Sequence, residues 1–415
     1  MTRFMTRLLK KSVLLSLFSL PALPASAQTP PNPATASLTS LSGVSCTAVA
    51  ACEAAGDFQA GTSNARVALA ESWNGTSWQL QQAASPPGAA ANSLSAVSCV
   101  STAFCEAVGS RLDSSGATVI ALAEVWNGTT WQIQKTANPA QANNGFRMNL
   151  TGVSCVSPSF CEAVGQSSST SGGGAEEWNG TAWTLQAVPG GPLAGVSCTS
   201  VSFCMAAGVD GHVEVWNGTS WSAQPSTAGF TSLNSVSCTS PNSCEATGFG
   251  PAGDEAEGWN GTAWSAQATP PPAGGSSVGL VAVSCTGALS CEAVGNYFSS
   301  TFQQVTLAEL WNGTTWVAQS TPSPASSFGS SLAGISCTSA NSCTAVGQND
   351  NSAGAPPLAE VWNGSAWHQQ FPPDHPFAGQ NLLNGVSCGA AGACTAAGVT
   401  DNPGQIQQTL IETGD

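Results

Sequence analysis

A single repeat places every cysteine and every tryptophan in this chain. The 16 cysteines form eight Cys-x5-Cys pairs, and the 14 tryptophans form seven Trp-Asn-Gly-(Thr/Ser)-x-Trp strings, one after each of the first seven pairs. The pairs are Cys46 and Cys52, Cys99 and Cys105, Cys155 and Cys161, Cys198 and Cys204, Cys238 and Cys244, Cys285 and Cys291, Cys337 and Cys343, and Cys388 and Cys394. Because one spacing rule governs nearly the whole chain, the fold must consist of copies of one unit.

The first half of each copy predicts a β-hairpin closed by a disulfide. In the second copy, Ser93–Cys99 and Phe104–Gly109 both read as β-strands and are separated by a short segment. Cysteines that face each other across such a hairpin meet the distance requirement of a disulfide. We therefore expect eight local bridges. Metal binding by these cysteines is disfavoured, because no histidine follows the repeat.

The second half of each copy predicts another hairpin. In copy two, Ala121–Trp126 and Thr129–Gln134 flank Asn127-Gly128, a dipeptide typical of two-residue type I′ turns. A two-residue turn predicts that Trp126 faces Thr129 and that Glu124 faces Trp131. Strand alternation then places the Glu and both tryptophans on one face, with small residues on the other. Such faces suit sheets that stack on each other.

Two hairpins with a period near 50 residues predict a four-stranded antiparallel blade, and the fold class is therefore an all-β propeller. Residues 41–415 are expected to form a single propeller domain. The eighth copy ends before its Trp strand, so we predict eight blades with the last incomplete, and seven blades as the alternative. Pro30, Pro31 and Pro33 disfavour an N-terminal strand that would complete it.

The repeat resembles a known group of proteins. Val-Ser-Cys-x5-Cys-x-Ala-x-Gly followed by Ala-Glu-x-Trp-Asn-Gly-Thr-x-Trp, over residues 41–412, is similar to the repeats of secreted bacterial β-propeller proteins. The Trp-Asn-Gly-Thr-x-Trp hairpin is also similar to the hairpins of kelch-like, Asp-box (sialidase-type) and fucose-lectin propellers. The lectin resemblance implies sugar binding by Glu and Arg, but most copies lack an Arg.

The N-terminus predicts export. A basic start, an apolar stretch and Ala25-Ser26-Ala27 indicate a signal peptide over residues 1–27, followed by a Pro-rich segment at 28–40. The paired cysteines agree with an oxidising compartment, so the protein is expected to be secreted or extracellular, with the periplasm or cell surface as options. No segment is long enough and apolar enough to predict a membrane span.

The charge excludes one class of partner. The full chain carries a formal charge of −15, and removal of residues 1–27 would take away four of its eight basic residues and none of its 23 acidic ones. A chain with so few cations has no basic footprint for nucleic acid. We therefore expect an extracellular protein or a glycan as the partner, and no nucleic acid.

Two sets of Glu follow the repeat. The first occurs in all eight copies and is interpreted as structural, each Glu accepting an indole N–H or a backbone N–H of the neighbouring blade. Its members are Glu71, Glu124, Glu176, Glu214, Glu257, Glu309, Glu360 and Glu412. The second set is expected to be solvated or weakly constrained, because three copies replace it. It comprises Glu53, Glu106, Glu162, Glu245 and Glu292, replaced by Met205, Thr344 and Thr395.

Candidate ligand-binding residues are those that break the repeat. They fall in the loops that join the two hairpins of a copy, and these loops are expected to share one face of the ring. The candidates are Asp57, Arg66, Arg111, Asp113, His212, Tyr297, Phe298 and Asp350. No catalytic constellation, metal site or cofactor motif is predicted.

Three functions remain open from the sequence. The first is a non-catalytic binding module, favoured because the repeated polar groups form no unique catalytic set. The second is a lectin-like propeller with repeated Glu/Trp pockets between blades. The third is a glycoside hydrolase or polysaccharide lyase with its site at the mouth of the ring.

Overall fold

The computed structural model describes residues 26–28, 32–34, 36–61, 65–137, 148–167, 172–225, 232–250, 255–269, 272–322, 327–351, 356–370, 381–402 and 406–414. Secondary structure within these ranges consists of strands, which confirms the all-β class. In the described part of the chain, no helix has the length and hydropathy needed to cross a membrane.

Thirty-two strands in the described ranges form eight four-stranded antiparallel units, which we call blades 1 to 8. One parallel bridge, between Gln304 and Gly329, joins blades 6 and 7 into a single eight-stranded sheet. Blade 1 contains β2 (Ala36–Ala48), β3 (Ala51–Ala60), β4 (Arg66–Trp73) and β5 (Trp78–Gln81). Blade 2 contains β6 (Ala91–Ser101), β7 (Phe104–Leu112), β8 (Val119–Trp126) and β9 (Trp131–Gln134). Blade 3 contains β10 (Met148–Ser157), β11 (Phe160–Ser167), β12 (Gly173–Trp178) and β13 (Trp183–Gln186). Blade 4 contains β14 (Leu193–Ser200), β15 (Phe203–Gly208), β16 (Val213–Trp216) and β17 (Trp221–Gln224).

The remaining blades follow the same order. Blade 5 contains β18 (Ser232–Ser240), β19 (Ser243–Phe249), β20 (Glu255–Trp259) and β21 (Trp264–Gln267). Blade 6 contains β22 (Ser276–Gly287), β23 (Ser290–Phe298), β24 (Gln304–Trp311) and β25 (Trp316–Gln319). Blade 7 contains β26 (Ser327–Ser339), β27 (Ser342–Asn351), β28 (Pro357–Trp362) and β29 (Trp367–Gln370). Blade 8 contains β30 (Asn381–Ala390), β31 (Ala393–Asn402), β32 (Ile406–Gly414) and β1 (Ser26–Gln28).

A ring of hydrogen bonds joins the innermost strands of all eight blades. These strands pack side by side from β2 to β30, and β30 packs against β2. At each interface, the Ser hydroxyl of the (Val/Ile)-Ser-Cys string accepts the backbone N–H of the Cys in the following blade, over 2.9–3.1 Å. The last bond runs from the Cys46 N–H to Ser387 Oγ at 2.9 Å. The ring is therefore closed between blades 8 and 1.

All eight predicted disulfides are present, one in each blade. Each joins residues that face each other on the first two strands of the blade, with Cα atoms 3.9–4.0 Å apart. In order from blade 1 to blade 8, the bridges are Cys46 to Cys52, Cys99 to Cys105, Cys155 to Cys161, Cys198 to Cys204, Cys238 to Cys244, Cys285 to Cys291, Cys337 to Cys343, and Cys388 to Cys394. The prediction of eight local bridges is confirmed.

The two cysteines of each bridge differ in their surroundings. The first Cys of each pair, on the innermost strand, is half-buried. The second Cys is buried in every blade, with an exposed fraction between 0% and 8%. This second set comprises Cys52, Cys105, Cys161, Cys204, Cys244, Cys291, Cys343 and Cys394. The bridge therefore extends the apolar core of each blade toward the turn that it closes.

The bridges also define the two ends of the ring. The cysteines lie beside the turn between the first two strands, as in the pair Cys99 and Cys105. We call the end of the ring that carries these turns and the Asn-Gly hairpins the disulfide face. The opposite end, with the connections between second and third strands, is called the loop face.

The core lies between the blades. At the first interface, the small side chains Ala55 and Ala70 of blade 1 pack against Leu94, Leu122 and Trp131 of blade 2. Equivalent clusters fill the next interfaces. Interdigitation of a small-residue face with a large-residue face is the packing that the sequence predicts.

The outer hairpins differ from the prediction in register. Trp126 faces Trp131, rather than Thr129, because the loop contains four residues instead of two. The Asn127 side-chain oxygen accepts the N–H groups of Thr129 and Thr130, both at 3.0 Å, and so organises the longer turn. The predicted type I′ turn is therefore wrong. The two tryptophans nevertheless share one face, with ring centroids 5.9 Å apart.

The eighth blade has its fourth strand, so the prediction of an incomplete blade is wrong. Ser26–Gln28 pairs with β32 and places Gln28 opposite Ile411. Gln81 occupies the same position in blade 1, opposite Ala70. Three residues are enough for this strand, and they precede the prolines that disfavoured it. The predicted boundary after residue 27 falls inside the strand, whereas residues 1–25 lie outside the described ranges.

Candidate functional site

The first set of repeated Glu lies inside the blade interfaces. Seven of its members have 0% exposure, namely Glu71, Glu124, Glu176, Glu214, Glu257, Glu309 and Glu360. The eighth, Glu412, belongs to β32, and its side chain lies outside the described part of the structure. These seven carboxyl groups therefore form no solvent-facing row.

Hydrogen bonds link these carboxyl groups to the preceding blade. Glu124 accepts the Ala84 N–H at 2.9 Å, and Glu176 accepts the Ala137 N–H at 3.0 Å. Both N–H groups belong to the segment that leaves the outermost strand of the preceding blade. Burial raises the pKa of Glu124 and of Glu176 to about 7, although the backbone N–H opposes the shift. These contacts satisfy buried donors, as the sequence interpretation proposed for the set.

The second set of Glu is buried as well, which contradicts the expectation that it is solvated. Its exposure ranges from 0% to 9% for Glu53, Glu106, Glu162, Glu245 and Glu292. The replacements Met205, Thr344 and Thr395 are also buried. Variation at this position therefore reflects different packing at each interface.

A Glu–Gln–Trp relay explains this burial. In blade 2, the Gln134 amide donates to Glu106 Oε1 at 2.9 Å, and Gln134 Oε1 accepts the indole N–H of Trp183 in blade 3. The same Trp-to-Gln bond recurs for Trp131, Trp221, Trp316 and Trp367. Sequence reasoning missed this Gln, although it stands three residues after the second Trp in all seven strings.

Blade 4 shows what happens when the relay loses its Glu. Met205 stands at the Glu position, and Gln224 donates instead to Ser222 within its own strand. The indole nitrogen of Trp264 in blade 5 then has no hydrogen-bond partner among the described residues, although it is buried. The relay is therefore a contact between blades that depends on the Glu.

Burial makes the relay carboxyl groups unusually weak acids. It raises the pKa of Glu53, Glu106, Glu245 and Glu292 to about 8, and that of Glu162 to about 9, while the Gln amide opposes each shift. A carboxyl group with such a pKa is largely protonated at neutral pH. These five Glu side chains are therefore poor general bases or nucleophiles for an external substrate.

On the loop face, three predicted candidates meet between blades 1 and 2. Asp57, which is 7% exposed, accepts a hydrogen bond from Arg66 Nη1 at 2.5 Å. Burial raises the pKa of Asp57, and Arg66 opposes the rise. Arg66 and Arg111 together line a cavity of about 270 Å³. We call it the arginine cavity, and Asn92, Ser93 and Ser110 contribute polar groups to it.

The other predicted candidates do not join this cavity. Asp113 organises its own loop by accepting N–H groups of Ser115 and Ala117, and the Ser115 hydroxyl lowers the pKa of Asp113. His212 lies in blade 4 beside Gly191. Tyr297 and Phe298 lie at the end of β23, and Asp350 lies on β27 opposite Gly329. These side chains therefore belong to blades 2, 4, 6 and 7, and they form no common site with the arginine cavity.

Metal ligation has no support in the ranges that the structure describes. No three His, Cys, Asp or Glu side chains there are grouped so that they could hold a metal ion.

Comparison with solved structures supports the fold. The computationally designed Ika8 protein is similar over 90% of this chain and 96% of its own, with 11% identity and a TM-score of 0.55. Sqt1 from Chaetomium thermophilum is similar over 91% and 97%, with 9% identity and a TM-score of 0.55. The C-terminal WD40 domain of Sif2 is similar over 94% and 99%, with 10% identity and a TM-score of 0.53. No protein-family model and no curated protein matches the sequence.

Proposed function

We propose that the protein is a secreted, non-catalytic binding module that recognises a carboxylate group of an extracellular protein or glycan in the arginine cavity. The observation that carries the proposal is that Arg66 and Arg111 line the same cavity. Only four basic residues follow residue 27, and two of them meet here. Guanidinium groups bind carboxylates through paired, charge-assisted hydrogen bonds.

The two guanidinium groups differ in how they are held. Arg66 is paired with Asp57, so its position is set by a neighbouring carboxylate. Arg111 lies on β7 opposite Asn92 and Ile120, and no acidic side chain is paired with it among the described residues. Substitution of Arg111 is therefore the better test of ligand binding. Arg66 supplies a second positive group, which Asp57 holds in place.

The negative charge of the chain does not preclude a carboxylate ligand. Charges farther than about 8–10 Å are largely screened at physiological ionic strength. A single carboxylate at the cavity would be attracted chiefly by Arg111, because Asp57 already offsets the charge of Arg66. A long polyanion would also meet the acidic remainder of the protein, so a ligand with isolated carboxylates is favoured.

A non-catalytic role is favoured over hydrolysis or lyase chemistry. Glycosidases need two carboxyl groups that reach the substrate from opposite sides. The repeated carboxyl groups in the described structure are instead buried at blade interfaces, and they accept hydrogen bonds from the backbone of the preceding blade or from a Gln of the same blade. We therefore propose binding without turnover.

Ligand-observed NMR tests the proposal with matched pairs of probes. The capped peptides Gly-Glu-Gly and Gly-Gln-Gly form one pair, and trigalacturonate and its methyl ester form the other. We expect at least one carboxylate probe to bind and its neutral counterpart not to bind. Arg111→Gln should weaken this binding by at least about tenfold, the effect of losing one charge-assisted contact.

Lys135→Gln is the matched control, because it removes the same charge from an exposed residue outside the cavity. Its binding should equal that of the wild type. Equal binding by the Arg111 variant would contradict the proposed site. Shortening of trigalacturonate by the wild type, lost in the Arg111 variant, would contradict the non-catalytic role.

A further inference from the structure

A second cavity opens between blades 5 and 6, toward the disulfide face, and has a volume of about 550 Å³. This volume lies within the range of about 300–1,000 Å³ that is usual for small-ligand sites. Its walls include Glu245, Gln267 and Gly258 of blade 5 and Trp311 of blade 6. It lies far around the ring from the arginine cavity, so an inference about it does not depend on the proposed function.

Small residues at two register positions explain why this interface is open. The position before the first Trp of each string holds Ser72, Val125, Glu177, Val215, Gly258, Leu310 and Val361 in blades 1 to 7. In blade 5 the position pairs with Ser265, which in blade 2 is Gln132. In blade 5, therefore, Gly258 has no side chain and its partner Ser265 has a short one. Together they leave space where other blades carry larger side chains.

The missing side chain exposes the relay to the cavity. A Cβ atom on Gly258 would overlap the Gln267 amide nitrogen and lie 3.3 Å from Glu245 Oε1. Gln267 donates to Glu245 Oε1 at 3.3 Å and accepts the Trp316 indole N–H. Like the Oε2 atoms of the other relay Glu residues, Glu245 Oε2 has no hydrogen-bond partner in the described structure. Glu245 is only 5% exposed, and it is the relay Glu that lines this cavity. An unpartnered buried oxygen at a cavity wall needs a donor or acceptor from a ligand or water.

The opposite wall is aromatic. The Trp311 indole N–H donates to the Ala288 carbonyl at 3.2 Å, which fixes the ring at the cavity wall. Thr314 and Thr315 of the same hairpin add hydroxyl groups. An indole beside hydroxyl and amide groups suits a ligand with one apolar and several polar surfaces.

The charge of the lining restricts the ligand further. Among the described residues, no Lys, Arg or His lines the cavity, so an acidic ligand would find no counter-ion there. Burial raises the pKa of Glu245 to about 8, so at neutral pH its carboxyl group can both donate and accept a hydrogen bond. A protonated carboxyl group also gives a cation little attraction. A neutral molecule rich in hydroxyl groups fits these features best.

We propose that the cavity between blades 5 and 6 binds a neutral saccharide. Glu245 and Gln267 hydrogen-bond to its hydroxyl groups, and Trp311 packs against its apolar C–H surface. Because Gly258 opens this interface, the site is one per chain and is not repeated around the ring.

Two variants test the site with residues that the fold already accepts elsewhere. Gly258→Val introduces the residue found at the same position in blades 2, 4 and 7, and closes the cavity. Glu245→Met introduces the residue found in blade 4. Ser72→Val and Glu106→Met are the matched controls, because they make comparable changes at the equivalent positions of blades 1 and 2.

The probes are cello-, xylo-, manno-, malto- and chito-oligosaccharides of two to six units, followed by ligand-observed NMR and calorimetry. We expect at least one series to bind with one site per chain. Gly258→Val and Glu245→Met should each weaken it by at least about tenfold, whereas the controls should stay within about twofold of the wild type. Arg111→Gln should leave it unchanged, which separates this result from the proposed function.

Three results would overturn the inference. The first is that no series binds at millimolar concentration. The second is that Gly258→Val, shown by circular dichroism to be folded, binds as tightly as the wild type. The third is that choline binds at this interface and the sugars do not.

Discussion

A rise in pH from about 5 to 9 should destabilise the protein through the carboxyl groups of the Glu–Gln–Trp relay. Glu106 is fully buried, and burial raises its pKa from 4.5 to about 8. Between these two values the unfolded chain has released the proton and the folded protein still holds it. The folded state therefore binds more protons, so the free energy of unfolding falls as the pH rises through this window.

The size of the effect follows from the same shift. One bound proton changes the free energy of unfolding by about 1.4 kcal/mol per pH unit inside the window. Over the roughly 3.5 units between the two pKa values of Glu106, its full contribution is about 5 kcal/mol, of which about 4 kcal/mol falls between pH 5 and 8.5. That is a large fraction of the stability of a typical domain, about 5–15 kcal/mol.

The variant Glu106→Gln isolates this contribution. It keeps the shape of the side chain and an oxygen that accepts the Gln134 amide, but it cannot ionise. At pH 5 the free energies of unfolding of the two proteins should differ only by the change in packing, which does not depend on pH. Between pH 5 and 8.5 the free energy of unfolding of the variant should rise by up to about 4 kcal/mol relative to that of the wild type.

Guanidinium denaturation of the oxidised protein, followed by tryptophan fluorescence at pH 5, 6.5 and 8.5, measures this difference. Leu80→Gln, a change between two non-ionisable side chains at an exposed strand position, is the control and should show no change in its difference from the wild type with pH. A pH-independent difference for Glu106→Gln, or one that shrinks as the pH rises, would refute the argument that burial controls this carboxyl group.

Three further changes test the scaffold. Ser98→Ala should lower the free energy of unfolding by about 1–2 kcal/mol in chemical denaturation, because the Cys155 N–H loses its acceptor between blades. Ser115→Ala on an exposed loop is the comparison. Equal losses for the two variants would contradict a stabilising role for the ring of Ser-to-Cys hydrogen bonds. Gly109→Ala should lower the free energy of unfolding by about 3 kcal/mol or more in the same assay, because the new Cβ would overlap the Ser93 carbonyl oxygen. An unchanged free energy of unfolding would be inconsistent with this packing. Replacing both cysteines of the Cys99–Cys105 pair by Ser should lower the free energy of unfolding by about 2 kcal/mol, the value for a loop of seven residues. If the variant does not fold at all, the bridge does more than constrain the unfolded chain.

Features set by local chemistry were predicted correctly from the sequence. The Cys99–Cys105 bridge required only that two nearby residues face each other across a hairpin. The shared face of Trp126 and Trp131 followed from strand alternation. The register of their hairpin did not, because the Asn127 side chain accepts the Thr129 and Thr130 N–H groups and holds a four-residue turn.

Several features that depend on particular side chains of two blades at once were missed. Replacement of the relay Glu by Met205 suggested a solvated position, yet Met205 is itself fully buried. The repeated Gln134 gave a readable pattern, but its partners Glu106 and Trp183 belong to different blades and meet only in the ring. Likewise, the sequence named Arg66 and Arg111 separately, and only the packing of blades 1 and 2 brings them to one cavity.

Amide hydrogen exchange at Cys46 tests the closed ring of eight blades most directly. Both cavities lie between blades, and their shapes depend on that closure. The Cys46 N–H is bonded to Ser387 Oγ, whereas the seven equivalent Cys amides are bonded to the blade before them in the chain. The account predicts protection at Cys46 similar to that of the other seven. Rapid exchange at Cys46 alone would show that the first and last blades do not meet.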